Sequence, residues 1–108
     1  MAREIDEAWV EEALERYRRI ESLQAEFDQA VGRVEVSVRS PDGLVEVVVT
    51  AAGTITDVRF LASLHTRTER EVARSVQAAV TAAADAARWA RDKLYAETFG
   101  EYRRLAEA

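Results

Sequence analysis

At 108 residues, with 48% hydrophobic side chains and a formal net charge of −5, the chain is sized for one domain and has little room for a second. The absence of cysteine excludes disulfides and thiolate metal sites. The charged N-terminal segment MAREIDEAWVEEALERY has no apolar core of a secretory signal, and no stretch reaches the ~20 apolar residues of a membrane span, so the expectation is a soluble, cytoplasmic protein without a membrane role.

From residue 4 to residue 31 apolar side chains recur at helical spacing: Val10, Ala13, Tyr17, Ile20, Phe27 and Val31, widened by Trp9, Leu14 and Leu23. The period predicts an amphipathic helix about 40 Å long. Its seam is nearly heptad, with Gln24 as the polar member. On the outer face Glu12 stands four residues before Arg16 and Glu15 four before Arg19, the favoured order for helical ion pairs.

Gly32 is the predicted stop. Val34, Val36 and Val38 then alternate with Arg33, Glu35, Ser37 and Arg39, which predicts a first strand over 33–39. Ser40-Pro41-Asp42-Gly43 is a turn, Pro41 presetting its φ and Gly43 accepting a positive one. In the second strand, over 44–51, Val45, Val47 and Val49 share one face, and Leu44 and Val48 share the other with Glu46 and Thr50. Ala52-Gly53 turns the chain into a third strand over 54–60, rich in β-branched residues.

Helices on one side of such a meander leave its second face bare: either Val48, Val58 and Phe60, or Val45, Val47 and Val49. Burying each such side chain is worth roughly 1.5–3 kcal/mol. The alanine-rich apolar fraction also buries little area per residue. Both points predict a sheet-mediated homodimer, with Val45, Val47, Val48, Val49, Val58 and Phe60 as interface candidates.

Thr66-Arg67-Thr68-Glu69 and Thr68-Glu69-Arg70-Glu71 both have capping-box spacing. They predict a second helix over about 66–99, with an extension to 106 past Gly100, where a kink or fraying is expected. Ala73, Val76, Val80, Ala83, Ala87, Ala90 and Leu94 form its inner stripe, and Trp89, Tyr95, Phe99 and Tyr102 come late. So long a helix outruns the meander, and its end projects. The predicted fold is α+β: an α-β-β-β-α protomer, a three-stranded antiparallel meander flanked by two long helices.

No catalytic constellation is visible. His65 is the lone histidine and reads as an ordinary loop side chain, and no glycine pattern forms a phosphate loop. Carboxylate pairs such as Glu11 and Glu12 read as a solvated helix face. No enzyme, metal or cofactor is expected. Charge is uneven: residues 1–31 carry four basic and nine acidic groups, residues 63–108 eight and seven. Along the second helix Arg67, Arg70, Arg74 and Arg88 fall within roughly 60° of one another, and Arg16, Arg18 and Arg19 cluster on the first. Such arginines either grip phosphates, doubled by a two-fold axis, or pair with the acidic first helix.

The segments Asp42-Gly43-Leu44-Val45-Glu46-Val47-Val48-Val49 and Gly53-Thr54-Ile55-Thr56-Asp57-Val58-Arg59-Phe60, followed by a polar loop and a long alanine-rich helix, resemble the YbaB/EbfC family of nucleoid-associated proteins over about residues 5–98. The resemblance implies a dimer with its sheets at the centre and helices projecting as tweezer-like arms. It also implies DNA binding with little sequence preference, and a nucleoid location. The first helix departs from the family's frequent methionine- and glutamine-rich pattern, being dominated by glutamate and arginine with only Gln24 and Gln29. Relatives near specialised secretion systems imply an alternative: a non-DNA-binding dimeric adaptor for a protein partner, docked by the late aromatic residues. The DNA-binding candidates are Arg16, Arg18, Arg19, Arg67, Arg70, Arg74 and Arg88.

Overall fold

The computed structural model describes the backbone over residues 7–107 and side chains over residues 7–100. The predicted helix start at Glu4 and the side chain of Tyr102 lie outside the described residues. The order is α1 (Glu7–Arg33), β1 (Glu35–Arg39), β2 (Val45–Thr50), β3 (Ile55–Phe60) and α2 (Glu69–Glu107). This is the α-β-β-β-α, α+β arrangement predicted. The strands form one antiparallel sheet in the order β1-β2-β3.

α1 runs through Gly32, which keeps a negative φ, so the predicted glycine stop is corrected. Its final carbonyls are satisfied by the β2–β3 turn: Ala52 N–H donates to the Val31 carbonyl at 2.9 Å and Ala51 N–H to that of Val34 at 3.0 Å. A tertiary cap leaves no need for a left-handed glycine.

The β1–β2 turn is tied by its own side chains. Gly43 takes φ 72°, Ser40 Oγ donates to Asp42 Oδ1 at 2.6 Å, and the Leu44 and Val45 amides donate to Asp42 Oδ1 and Ser40 Oγ at 3.0 Å each. In the next turn Gly53 takes φ 92°, and Thr50 Oγ1 accepts the Thr54 amide at 3.2 Å. The β2–β3 register slips between Val48 and Val49, whose partners are Asp57 and Ile55. The extra residue is Thr56.

This register regroups the sheet faces. Val36 and Val38 oppose Val49 and Val47, which in turn oppose Ile55 and Val58, while Val45 opposes Phe60. Directly opposed residues share a face, so Val58 and Phe60 lie on the side of Val45, Val47 and Val49, not with Val48 as the sequence reading grouped them. The bulge is the cause: it inverts the alternation of β3 relative to its start. The other face carries Ser37, Arg39, Glu46, Val48, Asp57 and Arg59 and has no helix over it.

α2 crosses the apolar face over β1 and β2. Its Ala79, Ala83 and Ala87 pack on Leu44, Val45, Val47 and Val49, with Val36, Val38, Val72 and Val76 at the margin. The predicted inner stripe is corrected on this point: Ala79 is central, whereas Ala73 and Val80 are exposed. The seam turns toward β1 because β3 is left uncovered. The second capping box is the one used, with Glu71 N–H donating to Thr68 Oγ1 at 3.1 Å and Thr68 N–H to Glu71 Oε2 at 3.4 Å. α2 continues as helix through Gly100, in place of the predicted fraying.

Beyond the sheet, α1 and α2 meet around Phe27, the one buried residue of α1 among those described. Its ring stands edge-on to Tyr95 at 5.6 Å and to Phe99 at 6.1 Å, with Arg91 over it at 5.9 Å. α1 leads into the sheet and α2 leads away from it, so the pair is antiparallel. From Phe27 to Glu7 is about 30 Å of helix, and from Phe99 to Glu107 about 12 Å. The distal half of α1 therefore projects alone. The principal extents are 81 × 21 × 20 Å and the radius of gyration 22.1 Å, against about 13 Å for a compact domain of this length.

Candidate nucleic-acid interface

The seven arginine candidates fall into three settings. Arg67 precedes the helix, because Thr68 is the N-cap. Its guanidinium turns to Asp42, with Nη1 3.5 Å from Oδ2, so Arg67 does not continue the predicted stripe. Asp42 also accepts Ser75 Oγ from α2. These bonds to Ser40, Ser75 and Leu44, with Arg67 nearby, hold the Asp42 carboxyl down at about 2. Asp42 thus fastens the hairpin turn to the first turns of α2, and Arg67 serves that junction.

Arg70, Arg74 and Arg88 form the second setting. At 100° per residue they lie within about 40° of one another and nearly opposite the buried Ala79 and Ala83, pointing away from the sheet. All three are exposed. Arg70 and Arg74 are one turn apart, and Arg88 follows about 21 Å beyond Arg74. The helix between them presents Gln77, Ala78, Thr81, Ala82 and Asp85, a low surface on which long cations stand proud.

The third setting is the projecting half of α1, where Arg16, Arg18 and Arg19 are exposed. Glu11, Glu12 and Glu15 share their two turns of helix and line the same depressions. Over residues 7–28 the charge is three arginines against seven carboxylates, a net −4. Over residues 69–93 of α2 it is five cations against four carboxylates, a net +1. The α1 cluster therefore lies in a net negative stretch and the α2 row in a slightly positive one.

The two ion pairs among the described residues are Arg59 with Asp57 at 2.6 Å and Arg67 with Asp42. Among the described residues no ion pair joins the arginine row of α2 to the acidic α1, the other arrangement that the sequence allows. Sequence reasoning missed the polar sheet face, where Arg39 and Arg59 flank Glu46 in register. Its signal was the alternation of Glu35, Ser37 and Arg39.

The interface candidates also divide. Val45, Val47 and Val49 are 0%, 0% and 1% exposed under α2, whereas Val58 and Phe60 are 45% and 47% exposed. Val48 is half-buried on the polar face. Ile55, Leu61 and Leu64, which were not singled out, extend the open patch along β3 and the following loop. Of the late aromatics, Tyr95 and Phe99 pack on Phe27, while Trp89 stands 62% exposed beneath Lys93.

Among the described residues no helix is long and apolar enough to cross a membrane. No curated protein matches the chain. The model of the YbaB/EbfC DNA-binding family matches residues 7–102, which take in α1, the whole meander and most of α2. With that match spanning nearly the full α-β-β-β-α architecture, the chain belongs to the YbaB/EbfC DNA-binding family.

Proposed function

We propose that the protein is a homodimeric, cytoplasmic, nucleoid-associated protein that binds DNA through phosphate contacts with little sequence preference. The observation that carries this reading is the outward row of Arg70, Arg74 and Arg88, which has no ion-pair partner among the described residues, in a chain of a DNA-binding family. Arginine forks match phosphate oxygens, and contacts to phosphate carry no sequence information of their own. Dimerisation presents the row twice, which multiplies the local phosphate contacts although the two chains together stay net negative. Arg16, Arg18 and Arg19 are secondary contacts in this reading, and Arg67 stays in its structural pair.

A gel-shift titration with a random-sequence duplex at low and moderate salt tests it. Arg70→Glu/Arg74→Glu should weaken binding alike on every sequence. In a dimer, Arg74→Ala alone should flatten the salt dependence by about two phosphate contacts. Wild-type protein that fails to retard DNA at tens of micromolar (about the range of non-specific binding) overturns the proposal.

A second reading, a dimeric adaptor for a protein partner, rests on the exposure of Trp89, since exposed tryptophans are frequent interface anchors. It predicts a partner lost on Trp89→Ala and no retardation of DNA.

A further inference from the structure

Between Arg74 and Arg88 the outward side of α2 carries two polar residues that take no part in the proposed phosphate contacts. Gln77 and Thr81 are both exposed, and no side-chain hydrogen bond joins either to another described residue. At 100° per residue they stand within about 20° of Arg88, and Arg74 within about 40°, so all four share one stripe. Arg74, Gln77 and Thr81 also line one shallow depression, together with Asp85. Along the axis Thr81 lies about 10.5 Å from each arginine, midway in a span of about 21 Å. Long cations stand at the ends, and short hydrogen-bonding side chains lie between them. Asp85, about 60° around from Arg88, lies at the edge of the stripe, so Gln77 and Thr81 are the polar groups at its centre.

The stripe has a limit. Beyond Arg88 it meets Asp92, and then Tyr95 and Phe99, which pack on Phe27 of α1. From Arg70 to Arg88 about 27 Å of exposed stripe remains. A helix about 10–12 Å across fits the major groove of B-DNA, about 12 Å wide, and not the minor groove, about 6 Å wide. The groove winds around the duplex, so a straight helix meets its floor over only a short middle stretch. Toward its ends the helix stands above the bordering strands, where an arginine reaches phosphate. In the middle, a glutamine bonds the amino group and ring nitrogen that adenine shows in this groove, and a threonine methyl meets the thymine methyl.

We infer that α2 enters the major groove, where Gln77 and Thr81 touch base edges and favour A·T pairs, while Arg70, Arg74 and Arg88 hold the strands on either side. This placement rests on the DNA-binding reading above and adds to it the groove, the residues that read bases and the favoured pair. Two side chains on bases, against three arginines on phosphate, keep the sequence preference small beside the salt-dependent affinity.

Gel-shift titration of the full chain at several salt concentrations is the test, on three short duplexes: alternating A·T, the same duplex with deazaadenine for adenine and uracil for thymine, and alternating G·C. The modified bases remove adenine's ring-nitrogen acceptor and the thymine methyl from the major groove, and leave the minor groove and the phosphates unchanged. Wild-type protein should bind natural A·T at least about fivefold more tightly than either other duplex, the low end of what a good base contact is worth. Gln77→Ala/Thr81→Ala should bind natural and modified A·T equally, with the wild-type salt slope, because no phosphate contact is lost. Both positions are exposed and alanine is the better helix former, so the variant keeps the fold. Equal wild-type affinity for natural and modified A·T, or tighter binding of G·C, overturns the inference and leaves the functional reading standing. A double variant that still discriminates does the same. Wild-type protein that retards none of the duplexes sinks the functional reading and the groove placement with it.

Discussion

Asp42 accepts from Ser40, Leu44 and Ser75 and stands beside Arg67. The sequence marks this residue as the third position of a turn, and two of its bonds, to Ser40 and Leu44, are local enough to be read there. Ser75 and Arg67 are not, because they arrive from α2 and its leading loop, 33 and 25 positions away. The bonds hold the Asp42 carboxyl at about 2, below its ordinary 3.8, so its charge favours the folded state at neutral pH. That advantage is lost as pH falls from about 4 through about 2, because both states then bind the proton. Asp42→Asn should lower the melting temperature at neutral pH, and the gap to wild type should close as melts are repeated down to about pH 2.5. A gap that is constant with pH would mean that the ionised form contributes nothing.

At the scale of elements, α2 is longer than its own packing requires. Over the sheet it is held by Ala79, Ala83 and Ala87, and farther out by the Phe27, Tyr95 and Phe99 cluster. Gly100 lies just past that cluster, helical, with open space where a Cβ would stand. Gly100→Ala should therefore stabilise the protein by roughly 0.5–1 kcal/mol, read as a raised denaturation midpoint. No change would mean that this end of α2 frays in solution. α1 depends on fewer contacts, and Phe27→Ala removes its buried anchor. That substitution should cost about 3–5 kcal/mol if the cluster fails to collapse around the gap, and the loss should appear in hydrogen exchange first along residues 7–26. The helical periods were legible in the sequence, but the face each helix buries was not: Val80 looks like core, yet is 40% exposed.

For the whole molecule, the consequence of an 81 Å protomer is that apolar surface remains open in two places, along β3 and on the distal half of α1. The β3 patch of Ile55, Val58 and Phe60 adjoins a free sheet edge, the surface on which pairing with a second chain is easiest. Val58→Glu/Phe60→Glu should convert the proposed dimer to monomer by light scattering without loss of the protomer's own core, since both side chains are half exposed. A dimer that survives the pair of substitutions would move the interface elsewhere. A monomer with retained helicity would place it at β3.

Taken by itself, the sequence determined the α-β-β-β-α order, the two glycine turns, a capping box at either Thr66 or Thr68, and the family resemblance. These rest on local periodicity and on turn chemistry, which act over a few residues. Tertiary structure decided what depends on registers and on which surfaces meet. A single bulge residue, Thr56, moves Val58 and Phe60 to the face of Val47. The N-cap at Thr68 takes Arg67 out of the basic row and into the turn. The placement of α2 over β1 and β2 buries Val45, Val47 and Val49 in the protomer while leaving β3 open. Side-chain period along a strand reports alternation but not which strand a helix will cover. Charge count along a helix reports cations but not their partners, and both are settled by packing between segments far apart in the chain.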